Sequence, residues 1–310
     1  MSNVVPLFCF PTTWAVVDDD KKLLHSMKII LKDHAHVKLF NTTQACLDFF
    51  SSYKSVLSEY AFLKSVKDNE SYGVLEHTPL DCNVKMFIEI ANNQCRCNEV
   101  SVLMVDYHMP EMTGYELAKK IDPAIQKILL TGAAQDKTVI EGFNHKLIDR
   151  FVQKGNTSTE EMLMTYLEEL TLQYFQKMSL PMLLCLEAEN KLPQSDPVFI
   201  HFFNDFCVRN NVKEYYLIDK QGSFLCRDEA GNQFCLAIQT DQSIDALVSN
   251  YLTEILTAPQ LNDISLRRIM PFCGVGVEPW HIEPSHWSRH LYDATHLKGR
   301  EHYYWAVVKV

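Results

Sequence analysis

The feature that most constrains the fold is an alternation of short apolar runs with amphipathic segments over residues 12–178. Short apolar runs bounded by turn residues are typical of strands buried on both faces, and the segments between them have apolar residues at helical spacing. A chain that alternates in this way builds a parallel sheet with helices on both sides. We therefore predict five strands: Trp14–Val17, Val37–Phe40, Val100–Val105, Lys127–Leu130 and Ile148–Val152.

Five helices complete this α/β pattern, which predicts a doubly wound, five-stranded parallel sheet. In the fifth, Ser158 and Glu161 have the spacing of a capping box, which indicates a helix start. The predicted helices are Lys21–Lys32, a segment capped by Thr42 or Thr43, Tyr115–Lys120, Lys137–Phe143 and a long helix from Ser158 to about Met178.

The long fifth helix has an apolar stripe of four residues at heptad-like spacing, Leu163, Leu167, Leu170 and Tyr174. Two heptads are too few for a coiled coil, so we expect the stripe to pack on the sheet. Met162 and Phe175 are further apolar residues of this helix, and they leave room for a homodimer contact.

A surplus stretch, residues 54–99, separates the second helix from the Val100 strand and has two more helical patterns. We interpret it as a helical insertion that lies at the pole of the sheet opposite the carboxyl ends of the strands. Pro181 and the run 191–197 interrupt the helical periodicity and indicate a domain boundary. The predicted organisation is a tail over 1–11, a first domain over 12–178, a linker over 179–197 and a second domain over 198–310.

Beyond residue 198 the pattern changes to short strands separated by tight turns. A helix from Val198 to about Arg209 precedes strands at 214–219, 223–227 and 234–239, and a helix over 241–256 follows. Segments 290–297 and 302–310 form a final hairpin around Gly299. This predicts a small α+β domain with a mainly antiparallel sheet.

Charge and cysteine content exclude several function classes. The 310 residues include 29 basic and 39 acidic side chains, a net charge of −10, and 11 basic against 14 acidic residues follow from Lys191 onward. This balance disfavours a DNA-binding output domain. No apolar run is long enough to span a membrane and the N-terminus lacks a secretion leader, so we expect a cytoplasmic protein without membrane insertion. The 10 cysteines lie mostly in apolar segments, as buried thiols do.

Polar groups follow four of the five predicted strands of the first domain. They are Asp18 and Asp19 after the first strand, Asp106 after the third, Thr131 after the fourth and Lys154 after the fifth. The carboxyl ends of parallel strands meet at one crevice. Three carboxylates placed together there need a cation, and an all-oxygen site suits Mg²⁺. With a hydroxyl and an ammonium nearby, this set is typical of phosphoryl transfer to a carboxylate, with Asp106 as nucleophile.

These motifs resemble the receiver domain of two-component response regulators, and the resemblance implies a flavodoxin-like fold for residues 12–178. The resemblance rests on Val16–Asp20, on the string Met104–Gly114 with its Asp-x-x-Met-Pro-x-Met-x-Gly pattern, on Leu130–Ala133 and on Phe151–Lys154. It implies that Asp106 accepts a phosphoryl group from a histidine kinase or phosphotransfer protein. Asp18, Asp19, Asp106 and the backbone carbonyl of His108 would hold Mg²⁺, Thr131 and Lys154 would contact the phosphoryl group, and Phe151 would be the switch aromatic. Gly155 follows Lys154 where the family usually has Pro.

The sequence also allows other interpretations of the functional site and of the second domain. Asp18 and Asp20 also match a haloacid-dehalogenase-like phosphatase, although that family leaves the Met-Pro-x-Met-x-Gly turn unexplained. Cys95, Cys97, Cys82 and His77 could form a zinc site with poor spacing. The second domain would act through an unknown partner or a small ligand. It could also be an enzyme controlled by the receiver, with a metal centre among His281, Glu283, His286 and His290.

Overall fold

The structure divides the chain into two compact units. The computed structural model describes residues 4–31, 36–65, 80–132, 147–154, 159–189 and 192–310. A parallel unit comprises Phe10–Tyr60 and Asn93–Met178, and an antiparallel unit comprises Met1–Cys9, Ala61–Asn92 and Ser179–Val310. None of the helices in the described ranges is both long and apolar enough to cross a membrane.

The parallel unit confirms the predicted fold class, because a five-stranded parallel sheet has the order β3-β2-β6-β7-β8. With strands numbered along the whole chain, these are β2 (Thr13–Val17), β3 (His36–Phe40), β6 (Val100–Asp106), β7 (Gln126–Thr131) and β8 (Arg150–Gln153). The described helices of this unit are α1 (Lys21–Ile30), α2 (Thr43–Ser52), α4 (Gly114–Lys120) and α5 (Thr159–Glu189), of which α5 continues past Met178.

Both faces of the central strands β2 and β6 are buried, which explains why these strands are mostly apolar in sequence. Successive strand residues point to opposite faces. Trp14 and Val16 pack in a core with α1 and α5, whereas Ala15 and Val17 pack in a second core with α2 and α4. All seven residues of β6 are buried. The two cores therefore fix β6 at the centre of the unit and its last residue, Asp106, at the carboxyl edge.

Helix α5 contributes side chains to the core with α1, and it extends further along the chain than the predicted end at about Met178. The predicted stripe is buried against the sheet, and Leu163, Leu167 and Leu170 belong to the core with α1. Phe175 is also fully buried and packs on Phe10 at a ring distance of 4.8 Å, so it does not provide the dimer contact predicted for it. The predicted start at Ser158 and the predicted helix 137–143 lie outside the described residues.

Pro181 does not end helix α5, which continues to Glu189. Proline removes one helical hydrogen bond and costs about 3 kcal/mol in a helix interior. Met182, Leu183 and Leu186, which follow the proline, are nearly fully buried. Their burial offsets the lost hydrogen bond, and the segment predicted as a linker is instead packed within the antiparallel unit.

The antiparallel unit has a six-stranded sheet in the order β1-β9-β10-β11-β15-β14 and two two-stranded sheets, β4-β5 and β12-β13. Its helices are α3 (Lys85–Asn92), α6 (Pro197–Arg209), α7 (Asp241–Leu247) and α8 (Ala258–Ser265). Its strands are β1 (Phe8–Cys9), β4 (Leu63–Ser65), β5 (Leu80–Cys82), β9 (Val212–Leu217), β10 (Phe224–Asp228), β11 (Gln233–Thr240), β12 (Ile269–Pro271), β13 (Leu291–Asp293), β14 (Thr295–Lys298) and β15 (His302–Lys309).

Two segments lie in this unit that the sequence places elsewhere. Strand β1, predicted as a tail, pairs with β9 through Phe8 and Cys9. Residues 61–92, predicted as an insertion of the first domain, contribute β4, β5 and α3. The physical reason is apolar burial, since Phe87 of α3 is fully buried and lies 5.4 Å from the Phe8 ring and 5.5 Å from the Phe62 ring.

The C-terminal half also differs from its predicted elements in two places. The predicted helix over 241–256 is interrupted, because α7 ends at Leu247 and a π-helical turn, Val248–Leu252, follows. The predicted strand over 290–297 is divided, since Leu291–Asp293 pairs with β12 and only Thr295–Lys298 pairs with β15. The mainly antiparallel character of the domain is confirmed.

Candidate functional site

The predicted site residues of the parallel unit lie together at the carboxyl edge of its sheet. Asp18 directly follows β2, Asp106 and Thr131 end β6 and β7, and Lys154 directly follows β8. One carboxylate oxygen from each of Asp18, Asp19 and Asp106 lies within 4.8 Å of the others. Asp18 is fully buried, Asp106 is nearly so, and Asp19 is exposed. The site is therefore a half-open acidic pocket.

Hydrogen bonds of the backbone hold these side chains in register. The Asp18 amide donates to the Phe40 carbonyl at 3.1 Å, and the Tyr107 amide donates to the Leu130 carbonyl at 2.8 Å. The Lys154 amide donates to the Thr131 carbonyl at 2.8 Å. Each strand end is thus hydrogen-bonded to the neighbouring strand. These backbone hydrogen bonds fix the positions of the site side chains in one crevice.

The Lys154 ammonium lies between two of the carboxylates. Its Nζ is 2.6 Å from Asp18 Oδ2 and 2.9 Å from Asp106 Oδ1. Burial tends to lower the pKa of Lys154, but the contacts with Asp18 and Asp106 outweigh it and the pKa is raised. Lys154 is therefore fully protonated at neutral pH and offsets part of the acidic charge.

Asp18 has an unusual electrostatic environment for a carboxylate. Burial raises its pKa, and the negative charge of Asp106 adds to this effect, while Lys154 and the Asp20 amide lower it in part. The Asp20 amide donates to Asp18 Oδ1 at 2.9 Å. A carboxylate whose charge is this poorly solvated gains from a cation placed beside it.

The donor chemistry fits Mg²⁺. All three carboxylates provide hard oxygen ligands, which is the preference of this ion, and no nitrogen or sulfur ligand is part of the group. Among the described residues it is the one group of three or more His, Cys, Asp or Glu side chains close enough to hold a metal.

The turn after Asp106 explains the spacing of the Met-Pro-x-Met-x-Gly string. Gly114 begins α4 and its amide donates to the Tyr107 carbonyl at 3.0 Å. A Cβ at Gly114 would lie 2.2 Å from the Asp106 carbonyl oxygen, so no other residue fits without moving the backbone of the site. Thr113 and Glu116 form a capping box that fixes the start of α4.

Two further predicted site residues occupy positions near this pocket. Phe151 lies on β8, pairs with Leu129 of β7 and is partly buried against the core with α2 and α4. His108 lies two residues after Asp106 in the turn to α4. Gly155, the departure from the family pattern, lies outside the described residues.

The alternative sites are not assembled within the described part of the chain. Asp20 accepts the Lys22 amide at 2.8 Å and caps α1. Cys82 belongs to the antiparallel unit, Cys95 and Cys97 belong to the parallel unit, and His77 lies outside the described residues. The segment from His281 to His290 forms two 3-10 helices and brings no three ligands together there. All ten cysteines are free.

Comparison with solved structures finds a likeness over the full length. The response regulator LqsR of Legionella pneumophila has 26% identity and a TM-score of 0.78, with 100% of this chain and 91% of that chain covered. The N-terminal half has the receiver-domain fold. Its strand order and its acidic carboxyl edge are those expected of a response-regulator receiver domain.

Shorter matches cover about half of the chain. A CheY-like receiver domain protein from Methanospirillum hungatei JF-1 has 19% identity and a TM-score of 0.36, with 54% of this chain and 98% of that chain covered. The BeF3-activated DrrB receiver domain has 22% identity and a TM-score of 0.33, with 52% and 97% covered. No protein-family model and no curated protein matches the chain.

Proposed function

We propose that the chain is a response regulator of a two-component phosphorelay, phosphorylated on Asp106. The observation that carries the proposal is the convergence of Asp18, Asp19 and Asp106 within 4.8 Å, with Lys154 Nζ 2.6 Å from Asp18 and 2.9 Å from Asp106. The proposal includes a cytoplasmic location, because the phosphoryl donor would be a histidine kinase or phosphotransfer protein that acts there.

In this reaction an oxygen of Asp106 attacks the phosphorus of a phosphohistidine. The new O–P bond forms an acyl phosphate while the P–N bond breaks and the imidazole leaves with that electron pair. Asp106 ends the central strand β6 and its carboxylate contacts Lys154, which supports its assignment as the nucleophile. A bound Mg²⁺ would neutralise charge on the phosphoryl oxygens.

The other residues of the site position and neutralise the transferred group. Asp18, Asp19, one oxygen of Asp106 and the His108 carbonyl would hold the metal, which leaves the other oxygen of Asp106 to form the new bond. The Lys154 ammonium would exchange part of its contact with Asp106 for a phosphoryl oxygen, and Thr131 would donate its hydroxyl to another. Such preorganised donors are worth about 10²–10³ in rate each in enzymes.

The test is covalent labelling of the full-length protein with radiolabelled acetyl phosphate and Mg²⁺. We expect one base-labile phosphoryl group per chain, and we expect Asp106→Asn to abolish it because the amide is not a nucleophile. Asp48→Asn, at an exposed position of α2, is the matched control and should label like the wild type. Undiminished labelling of Asp106→Asn would contradict the assignment.

A further inference from the structure

The antiparallel unit has a cleft that the proposed phosphoryl transfer does not use. Its volume is about 570 Å³, within the ~300–1,000 Å³ typical of small-molecule sites. Lys64 and residues from four stretches line it: 81–88, 218–221, 239–251 and 272–279. All four belong to the same unit, so the cleft is a property of that unit alone.

A residue of the cleft lining, Gln239, has a side-chain amide nitrogen that donates no hydrogen bond within the part of the protein that the structure describes. Gln239 lines the cleft and is only 4% exposed. Its Oε1 accepts the Ser243 hydroxyl at 2.5 Å, but no group of the described residues accepts a hydrogen bond from its Nε2. Gln239 Nε2 can therefore donate a hydrogen bond to an acceptor oxygen of a bound ligand.

The charges around the cleft balance. Its described lining residues include three lysines, Lys64, Lys85 and Lys220, and three acids, Asp81, Asp219 and Glu278. Lys220 Nζ and Asp81 Oδ1 are paired at 2.7 Å. A lining without net charge gives no attraction to a polyphosphate or a polycation, so the cleft favours a molecule that is neutral overall.

Apolar and aromatic side chains supply much of the remaining surface. Ile88, Leu247 and Phe272 line the cleft together with Tyr251. Tyr251 comes from the π-helical turn, and such turns are frequent at functional sites. Its ring lies 6.2 Å from that of Trp280, which is 62% exposed. Tyr251 therefore offers an aromatic surface to the body of a ligand.

Glycines keep part of this cleft open. Gly274 and Gly276 both line it and have positive φ values of 101° and 66°. A Cβ at Gly276 would come as near as 3.8 Å to Ile88 Cδ1. Other residues at these two positions would be strained and would take up space in the cleft.

Cys82 and Cys273 both line the cleft, and the Cys273 thiol is not suited to covalent chemistry. Burial raises the pKa of Cys273 to about 12, and the charges of Glu278 and Asp219 add to this effect. The thiol is therefore protonated at neutral pH, and a thiol in that state is a poor nucleophile. This favours reversible binding.

We propose that the cleft binds a neutral small molecule with an apolar body and a carbonyl or hydroxyl oxygen, which accepts a hydrogen bond from Gln239 Nε2. The apolar body packs on the Tyr251 and Phe272 side. Binding at this site is separate from phosphoryl transfer at Asp106, and the antiparallel unit is then a ligand-binding output domain.

The probe for the test is prodan, a neutral naphthalene with one ketone oxygen, titrated by fluorescence into the full-length protein. We expect one saturable site per chain with blue-shifted emission. Gln239→Leu, which keeps the side-chain volume but lacks the donor, should weaken binding by about tenfold, as expected for one lost hydrogen bond. The same naphthalene without its ketone group should bind the wild type and Gln239→Leu equally.

A second variant and a control keep the test independent of folding. Ala246 lines the cleft from an exposed position of α7, so Ala246→Trp should fill the cleft and remove binding of both probes. Gln242→Leu, an exposed position of the same helix outside the lining, should change neither. Melting curves and labelling of Asp106 check that each variant is folded. Non-saturable binding, binding unaffected by Ala246→Trp, or displacement of prodan by ATP would overturn the proposal.

Discussion

At the scale of single residues, Lys154 controls how much the site depends on an external cation. Its Nζ is 2.6 Å from Asp18 Oδ2 and 2.9 Å from Asp106 Oδ1. Lys154→Met removes that charge and leaves two buried carboxylates facing each other, which costs on the order of 3 kcal/mol without metal. Because Mg²⁺ can replace the lost charge, we expect it to raise the melting temperature of Lys154→Met more than that of the wild type.

The control for this prediction is another partly exposed lysine of the same unit. Lys177 Nζ lies 3.8 Å from Asp149 Oδ1, on residues that are not part of the acidic group. Lys177→Met should therefore respond to Mg²⁺ like the wild type, as measured by thermal unfolding with and without the ion. Equal Mg²⁺ shifts for all three proteins would show that the acidic group does not bind the metal.

At the scale of elements, strand β8 and helix α5 are expected to transmit phosphorylation. A phosphoryl group on Asp106 would draw Thr131 towards it, and Phe151, which lies on the neighbouring strand, would turn into the vacated space. A complete switch from 1:99 to 99:1 needs about 5.5 kcal/mol, more than one hydroxyl contact supplies. We therefore expect a partial shift of a two-state equilibrium.

Hydrogen exchange of α5, with and without phosphorylation, measures this shift. Phe151→Ala should take up phosphate on Asp106 but lose the phosphorylation-dependent change in exchange. Phe50→Ala is the matched control, since Phe50 packs against the same core from α2; it should keep the change. Identical protection of the wild-type helix in both states would mean that the signal does not leave through α5.

At the scale of the whole molecule, the folding units do not follow the chain. Residues 61–92 belong to the antiparallel unit although residues of the parallel unit flank them. Their two ends are close, because Asn93 Nδ2 donates to the Tyr60 hydroxyl at 2.9 Å. Ser55 and Glu99, on either side of this junction, belong to the parallel unit. There the fully buried Glu99 accepts a hydrogen bond from the Ser55 hydroxyl at 2.8 Å.

This organisation predicts which fragment folds. A protein of residues 10–60 joined by a short Gly/Ser linker to 93–178 should be monomeric in size-exclusion chromatography and label on Asp106. The continuous fragment 10–178 keeps Phe62 and Phe87 without Phe8, their stacking partner, and should aggregate through that exposed apolar surface. The opposite result, a monomeric continuous fragment and an unfolded spliced one, would contradict the assignment of 61–92.

The parallel unit and the place of its acidic residues can be predicted from the amino-acid sequence. Strands buried on both faces are apolar throughout, so β2, β6 and β7 can be read from short runs such as Val100–Val105. Because the carboxyl ends of parallel strands meet at one edge, Asp18, Asp106 and Lys154 could be expected to lie together before any coordinates were known.

Local sequence patterns do not predict the packing of three segments, which is visible only in the folded molecule. These segments are β1, residues 61–92 and the residues after Pro181. A strand such as Phe8–Cys9 pairs through backbone groups that every residue carries, so its sequence does not name β9 as its partner. Helix α5 passes Pro181 because Met182, Leu183 and Leu186 are buried further along. The open donor of Gln239 depends in the same way on which side chains surround it. These features depend on burial and strand pairing between residues that are far apart in the sequence. Local periodicity does not encode such contacts, so the features could be identified only in the folded molecule.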